Sequence, residues 1–148
     1  MLGECRIGSC LGHEDCGERA ACPLQDDAAA LLDRVYAADG LILATPVYYE
    51  NVSAQMKVFM DRNVFRYSHD EWLGARIIGL IVVTAETGLD DTFAALRRFL
   101  ALSTATEVPV VCAGGLASSA GEAAADAKLM AAARRLGADV AGALTAPA

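Results

Sequence analysis

"LATPVYYENVSAQMKVFMDR", residues 43–62, opens as a buried strand, meets a proline at position 46, exposes two tyrosines and resumes as an amphipathic helix. The strand reads "LILAT" at 41–45 and is expected to break at Pro46. Asn51 or Ser53 then caps the helix, with Val52, Met56, Phe59 and Met60 on one face and Lys57, Asp61 and Arg62 on the other. A strand that passes straight into a helix is half of a parallel βαβ unit, and the chain on either side repeats the pattern.

Upstream, Asp26 or Asp27 can cap a helix in which Ala28, Leu31, Leu32 and Val35 recur at helical spacing, and Gly40 ends it. Downstream, "RIIGLIVVT" at 76–84 is the most continuous apolar run. It reads as a strand buried on both faces and therefore as the central one. A helix from about Asp90 to Leu102, a strand "EVPVVCA" at 107–113 and an alanine-rich helix from about Gly121 to Leu136 follow. This alternation calls for an α/β fold with a parallel sheet and right-handed crossovers. No internal repeat is visible, and residues 63–75 read as irregular.

The 148 residues suit one domain, expected to comprise a cysteine-rich segment at 1–25 and an α/β body at 26–148. A formal net charge of −7 argues against nucleic acid, because an acidic surface repels phosphate backbones. No apolar run is long enough for a membrane span, and Glu4 and Arg6 interrupt the N-terminal stretch where a signal peptide needs apolar residues. A cytoplasmic protein is expected.

Four of the five cysteines, Cys5, Cys10, Cys16 and Cys22, lie in the first 22 residues. In a reducing compartment such clustering favours metal or redox chemistry over structural disulfides. Four thiolates on one segment can wrap a [4Fe–4S] cluster; zinc is an alternative, although its sites usually present tighter cysteine pairs, and free thiols are a third. Cys112, inside an apolar strand, reads as a small buried hydrophobe. His13 lies among the cysteines as a substitute ligand or an exposed histidine, and His69 has no visible partner.

In open parallel sheets ligands bind outside the carboxyl ends of the strands. Three loops occupy that edge: "TPVYYENVS" at 45–53, "TAETGLD" at 84–90 and "AGGLASSAG" at 113–121. Flat aromatic surface beside a Gly-containing turn suits a planar heterocycle with polar edges, although Tyr48 and Tyr49 could equally cover the top of the core.

The stretch "ADGLILATPVYYENVSAQMKVFMDR", 38–62, together with "CPLQDD" at 22–27, resembles the signature of the flavodoxin-like NADPH-dependent FMN reductase family and its iron–sulfur flavoprotein branch. The resemblance implies a flavodoxin-like three-layer fold, FMN as cofactor and NAD(P)H as electron donor. It places Thr45, Pro46, Val47, Tyr48, Tyr49, Asn51, Val52 and Ser53 against the flavin ring, with Thr84, Ala85, Glu86, Thr87 and Gly88 beside them. The Cys16–Cys22 spacing matches that of the family's last two cysteines, whereas the branch's other cysteines are more compactly spaced than here; Cys5, Cys10, Cys16 and Cys22 are named as candidate metal ligands on their clustering. Hydride transfer to flavin needs stacked rings and no obligatory protein acid or base, so no catalytic side chain is named.

Two departures from the family are visible. Its members begin with a strand, a phosphate loop, a helix and a second strand that this sequence does not show, so the expected sheet is truncated to strands 3-4-5 of the 2-1-3-4-5 order. Strand 41–45 then lies at an edge, and a second copy, a separate subunit or the folded-back cysteine segment is expected to cover it. The second departure is Glu50, where many relatives carry glycine, which sets a carboxylate beside the ring site.

Two functions follow. One is a flavin-dependent NAD(P)H oxidoreductase or iron–sulfur flavoprotein, acting as an oligomer or with a complementing subunit, whose acidic surface could dock a basic redox partner. The other is a non-catalytic iron–sulfur electron-transfer or structural subunit that binds no FMN by itself.

Overall fold

The computed structural model describes residues 1–145. Its sheet contains β1 (Gly40–Tyr48), β2 (Asn51–Val52), β3 (Ile77–Thr84) and β4 (Val110–Leu116), in the order β2-β1-β3-β4. β3 is central and pairs in parallel with β1 and β4, Leu43 lying opposite Leu80 and Leu80 opposite Cys112. Ile78, Leu80 and Val82 have no exposed surface, which explains the unbroken apolar run: a strand covered on both faces has no side free for polar residues.

Three helices, α1 (Ala28–Tyr36), α2 (Ala54–Arg62) and α4 (Leu89–Ala101), cover one face of the sheet. Leu32, Met56, Phe59, Leu96 and Leu100 close there over Leu43, Ile78, Leu80 and Val82. The other face is covered by α6 (Ala127–Thr145), whose Leu136 and Val140 pack on Ile77 and Ala113. Two one-turn helices, α3 (Val64–Tyr67) and α5 (Glu122–Ala125), complete the chain. The result is the three-layer α/β arrangement of a flavodoxin-like fold.

Several boundaries differ from expectation. β1 does not break at Pro46 but runs to Tyr48 and turns back through Tyr49 and Glu50 into β2, which pairs antiparallel at Val47–Val52 and Tyr48–Asn51. The sheet therefore has four strands and is mixed, not three and all parallel. Proline is tolerated there because β1 has β3 on one side and only the short β2, beyond Pro46, on the other. Ser53, not Asn51, caps α2, its hydroxyl accepting from the Met56 amide at 3.3 Å. β4 begins three residues later than expected and carries on through Gly114 and Gly115. The alanine-rich helix is interrupted at Asp126, whose carboxylate accepts from the Lys128 and Leu129 amides and so starts α6 afresh. Residues 63–75 contain α3.

Beyond β2, the outer side of β1 from Gly40 to Pro46 has no strand beside it among the described residues. A 3-10 turn at Leu2–Glu4 lies nearby, and Leu2 packs on the core without joining the ladder. Between turn, α1 and α2 runs an apolar groove of about 850 Å³, whose lining includes Leu31, Val35, Leu41, Leu43, Met56 and Phe59. On the opposite face Ile42 is 44% exposed.

Candidate functional site

Two buried threonines, Thr45 within β1 just before Pro46 and Thr84 at the end of β3, use their hydroxyls to organise the backbone that follows. Thr45 Oγ1 donates to the Pro46 carbonyl (2.9 Å) and accepts from the Ser53 amide (3.0 Å), which sets the start of α2 against the end of the strand. Thr84 Oγ1 donates to the Thr87 carbonyl and accepts from the Glu86 amide (3.3 Å), curling 84–88 into the start of α4. These hydroxyls are spent inside the protein. Val52 and Ser53 are also buried, so both threonines, Val52 and Ser53 support the site from beneath.

Above them stands the β1–β2 turn. Tyr49 and Glu50 are both left-handed, with φ of 50° and 57°, a conformation that costs a residue with a Cβ about 1–2 kcal/mol. A two-residue hairpin of type I′ requires it at both central positions, and asparagine and glycine usually supply it. The turn is buttressed by Gly88, itself at φ 78°, where an added Cβ would come within 2.6 Å of the Glu50 Cα and 2.9 Å of Val47. Thr87 Oγ1 donates to Glu50 Oε1 at 3.2 Å and completes the join. The two loops form one rigid rim from which Tyr48 and Tyr49 project, 60% and 103% exposed. Tyrosines that merely cover the core would have buried rings; these do not.

The third loop joins at the side. Ala117 donates its amide to the Thr84 carbonyl (2.8 Å) and Ser118 Oγ donates to the Ala85 carbonyl (3.1 Å), while Leu116 is 60% exposed beside them. Its amides are not free for an anion: those of Ser118 and Ser119 donate to Glu122 Oε2 at 2.6 and 3.0 Å, and these bonds hold the Glu122 carboxyl below the usual carboxylate range. The rim thus offers a flat aromatic surface with polar loop backbone, which fits a flavin ring. Its most anion-like cradle is already filled by the protein's own carboxylate.

The cysteine segment is fixed to the body by a buried ion pair that its sequence position conceals. Arg62, expected on the solvent face of α2 with Lys57 and Asp61, is 4% exposed. Its guanidinium donates to the Gly8 carbonyl (2.9 Å), to Asp26 Oδ2 and to Cys22 Sγ (3.5 Å). Asp26 also accepts from the Gly8 and Ala28 amides, and Asp27 accepts from the Arg6 amide. The paired aspartates of "CPLQDD" therefore bind residues 6–8, not a ligand. His69, which the sequence left without a partner, has Nδ1 2.8 Å from the Phe65 carbonyl and Nε2 2.9 Å from the Arg19 carbonyl, bridging α3 to the same segment.

The four thiols do not converge. Burial, then the neighbouring Cys10 and Cys22, push the Cys16 thiol pKa up. Cys5 faces elsewhere, donating to the Met1 carbonyl (3.6 Å) and lining the groove beside β1. Among the described residues no three His, Cys, Asp or Glu side chains stand together as a metal site. The placement does not fit a four-cysteine cluster. Cys112 also departs from expectation: it is exposed, and its sulfur accepts from Arg97 Nη2 at 3.0 Å. No helix among the described residues is long and apolar enough to cross a membrane.

A flavodoxin-like sheet with loops gathered at its carboxyl edge defines a class of α/β proteins that take ligands at that edge. The chain belongs to the NADPH-dependent FMN reductase family, whose model matches residues 4–119. Among curated relatives, an iron–sulfur flavoprotein of Methanocaldococcus jannaschii is 42% identical over 62 residues, 42% of this chain and 32% of the relative. One from Archaeoglobus fulgidus is 40% identical over 89 residues, 60% of this chain and 40% of the relative. The chain thus matches well under half the length of these relatives. Solved structures share the fold: a flavone reductase at TM-score 0.63 and 16% identity, over 97% of this chain and 51% of that one, and the azoreductase AzrA at 0.56 and 12%, over 96% and 78%.

Proposed function

We propose that this chain carries the ring-binding part of an FMN-dependent oxidoreductase that takes electrons from NAD(P)H. The observation that supports it is the rim itself: two exposed tyrosines on a strained turn, braced by Gly88 and Thr87, at the sheet edge where such folds take ligands. When bound, FMN supplies a ring that accepts a hydride and passes electrons on singly or in pairs. The protein's part is positional. Tyr48 and Tyr49 present flat surface, the 84–88 loop presents backbone to a polar ring edge, and Thr45 and Thr84 keep the two loops in register. None of these groups needs to gain or lose a proton. Replacing Tyr48 and Tyr49 together with alanine is expected to weaken FMN retention at least tenfold, the loss of one to two aromatic stacking contacts, with helix content unchanged by circular dichroism. Wild-type affinity in the folded double variant, measured by flavin fluorescence quenching, would overturn the assignment.

The iron–sulfur part of the relatives' names is not carried into this function. A cluster on Cys5, Cys10, Cys16 and Cys22 would require Cys5 to leave the Met1 carbonyl and the other three thiols to draw together as well, since no three such side chains stand together among the described residues.

The function also extends to a partner. The bare outer side of β1, the groove beside it and the filled cradle at Ser118–Ser119 all leave work for another polypeptide segment, which would lie along Gly40–Pro46 and bring the anion-binding amides the rim lacks. A separate subunit meets both needs and a second copy covers the strand alone, and an interface burying more than ~1,000 Å² in total is expected. Light scattering should show an oligomer, or co-purification from the native cell a stable complex, with amides 41–45 protected from exchange. A monomer in both experiments with those amides exchanging freely would refute it.

A further inference from the structure

We propose that Glu50 sets the redox preference of the ring site, weakening its hold on reduced, anionic flavin relative to oxidised flavin; this rests on the ring-site reading above. Three observations converge on the residue. Its backbone is held left-handed at φ 57°, a position glycine would fill without strain, so the carboxylate is kept at a cost in folding energy. Its side chain lies at the surface but is tethered to the neighbouring loop. Thr87 Oγ1 holds Oε1 at 3.2 Å, and the Gly88 backbone sits so close that an added Cβ would lie 3.0 Å from the Glu50 Cβ.

The third observation is the absence of any cationic side chain in the rim loops. The loop 45–53 carries Glu50 as its one charged residue, and 84–91 carries Glu86, Asp90 and Asp91, with no lysine, arginine or histidine in either stretch. The neutral hydroxyl of Thr87 orients the carboxylate without cancelling its charge. A fixed negative charge next to the ring repels a ring that gains negative charge on reduction and is nearly indifferent to the neutral oxidised form. By linkage, weaker binding of the reduced form is the same statement as a lower two-electron potential for bound than for free flavin. Such a site would favour passing electrons onward over storing them.

The test compares dissociation constants for oxidised FMN and for dithionite-reduced FMN, under argon, in the wild-type protein with any co-purifying partner, in Glu50→Gln and in Thr87→Val. Glu50→Gln should leave oxidised binding near wild type and tighten reduced binding about tenfold, equivalent to about 30 mV for a two-electron couple. Thr87→Val, which frees the carboxylate but keeps its charge, should move the same ratio in the same direction by less. Because the group is exposed, the wild-type preference should shrink as salt rises from 0.05 to 0.5 M, whereas an effect of shape alone would not. An unchanged oxidised-to-reduced ratio in a flavin-binding Glu50→Gln variant would overturn the role of Glu50 and leave the ring site standing. Failure of the wild-type protein to bind either form would overturn both.

Discussion

Gly88→Ala should destabilise the protein by about 2–5 kcal/mol and strip the rim of flavin affinity even where the variant still folds. Two costs add. The residue sits at φ 78°, where a side chain adds about 1–2 kcal/mol of backbone strain. The new methyl would then meet the Glu50 Cα at 2.6 Å and Val47 Cγ1 at 2.9 Å, and relieving that overlap costs a further ~1–3 kcal/mol. The Glu50 contact is with backbone, so no rotamer change removes it. Relief has to come from pushing the β1–β2 turn away, which moves both tyrosines off the loop that frames them. Urea denaturation gives the first number, and FMN titration of the folded fraction gives the second. A Gly88→Ala protein with wild-type midpoint and wild-type FMN affinity would show that the two loops are not braced against each other.

How much of this was legible in the sequence follows from the kind of signal each part leaves. β3 declares itself because a strand covered on both faces must be apolar throughout, and its limits differ from expectation by one residue. The hairpin is hidden for the opposite reason. Its turn residues, Tyr49 and Glu50, are poor left-handed residues, and nothing local warns that β1 reverses there; the brace comes from Thr87 and Gly88, far along the chain. A proline in the strand reads as a break unless the strand is known to lie at an edge. The rim was legible through Tyr48, Tyr49 and the three loops at one sheet edge, but not the division of labour within it. Thr45 and Thr84 look like ligand-facing hydroxyls in the sequence, yet each is turned inward to hold backbone. The cysteine segment was least legible. Spacing tells how many thiols are near in the chain, not which way a 3-10 turn points them, and Cys5 is turned off by such a turn. Periodicity assigned Arg62 to solvent because a helix wheel knows nothing of a segment folded over its far end from more than thirty residues upstream.

That buried arginine carries the second large effect. Arg62→Ala leaves the mostly buried Asp26 carboxylate and the Gly8 carbonyl without their shared donor, a loss of about 3–5 kcal/mol for breaking a buried pair. The whole amount need not appear as global destabilisation. Residues 6–8 hang on Asp26 and Asp27 and on this pair, while His69 separately holds Arg19, so local release of residues 6–8 limits what the rest of the fold loses. The expected result is a modest fall in the global midpoint with faster hydrogen exchange at the Arg6 and Gly8 amides and faster alkylation of Cys22 as the released segment becomes accessible. Acid should reproduce the release in the wild-type protein. Burial by itself would raise the Asp26 pKa, but the Arg62, Gly8 and Ala28 hydrogen bonds outweigh it and hold the carboxyl below the usual aspartate value of about 4. A carboxyl lowered on folding stabilises fully above its unfolded value and loses that contribution as pH falls through the folded one. Exchange at Arg6 and Gly8 should therefore resemble the Arg62→Ala protein only below about pH 4, and differ from it at neutral pH. Equal exchange and equal Cys22 alkylation in the two folded proteins at pH 7 would mean that the segment is held by something other than Arg62.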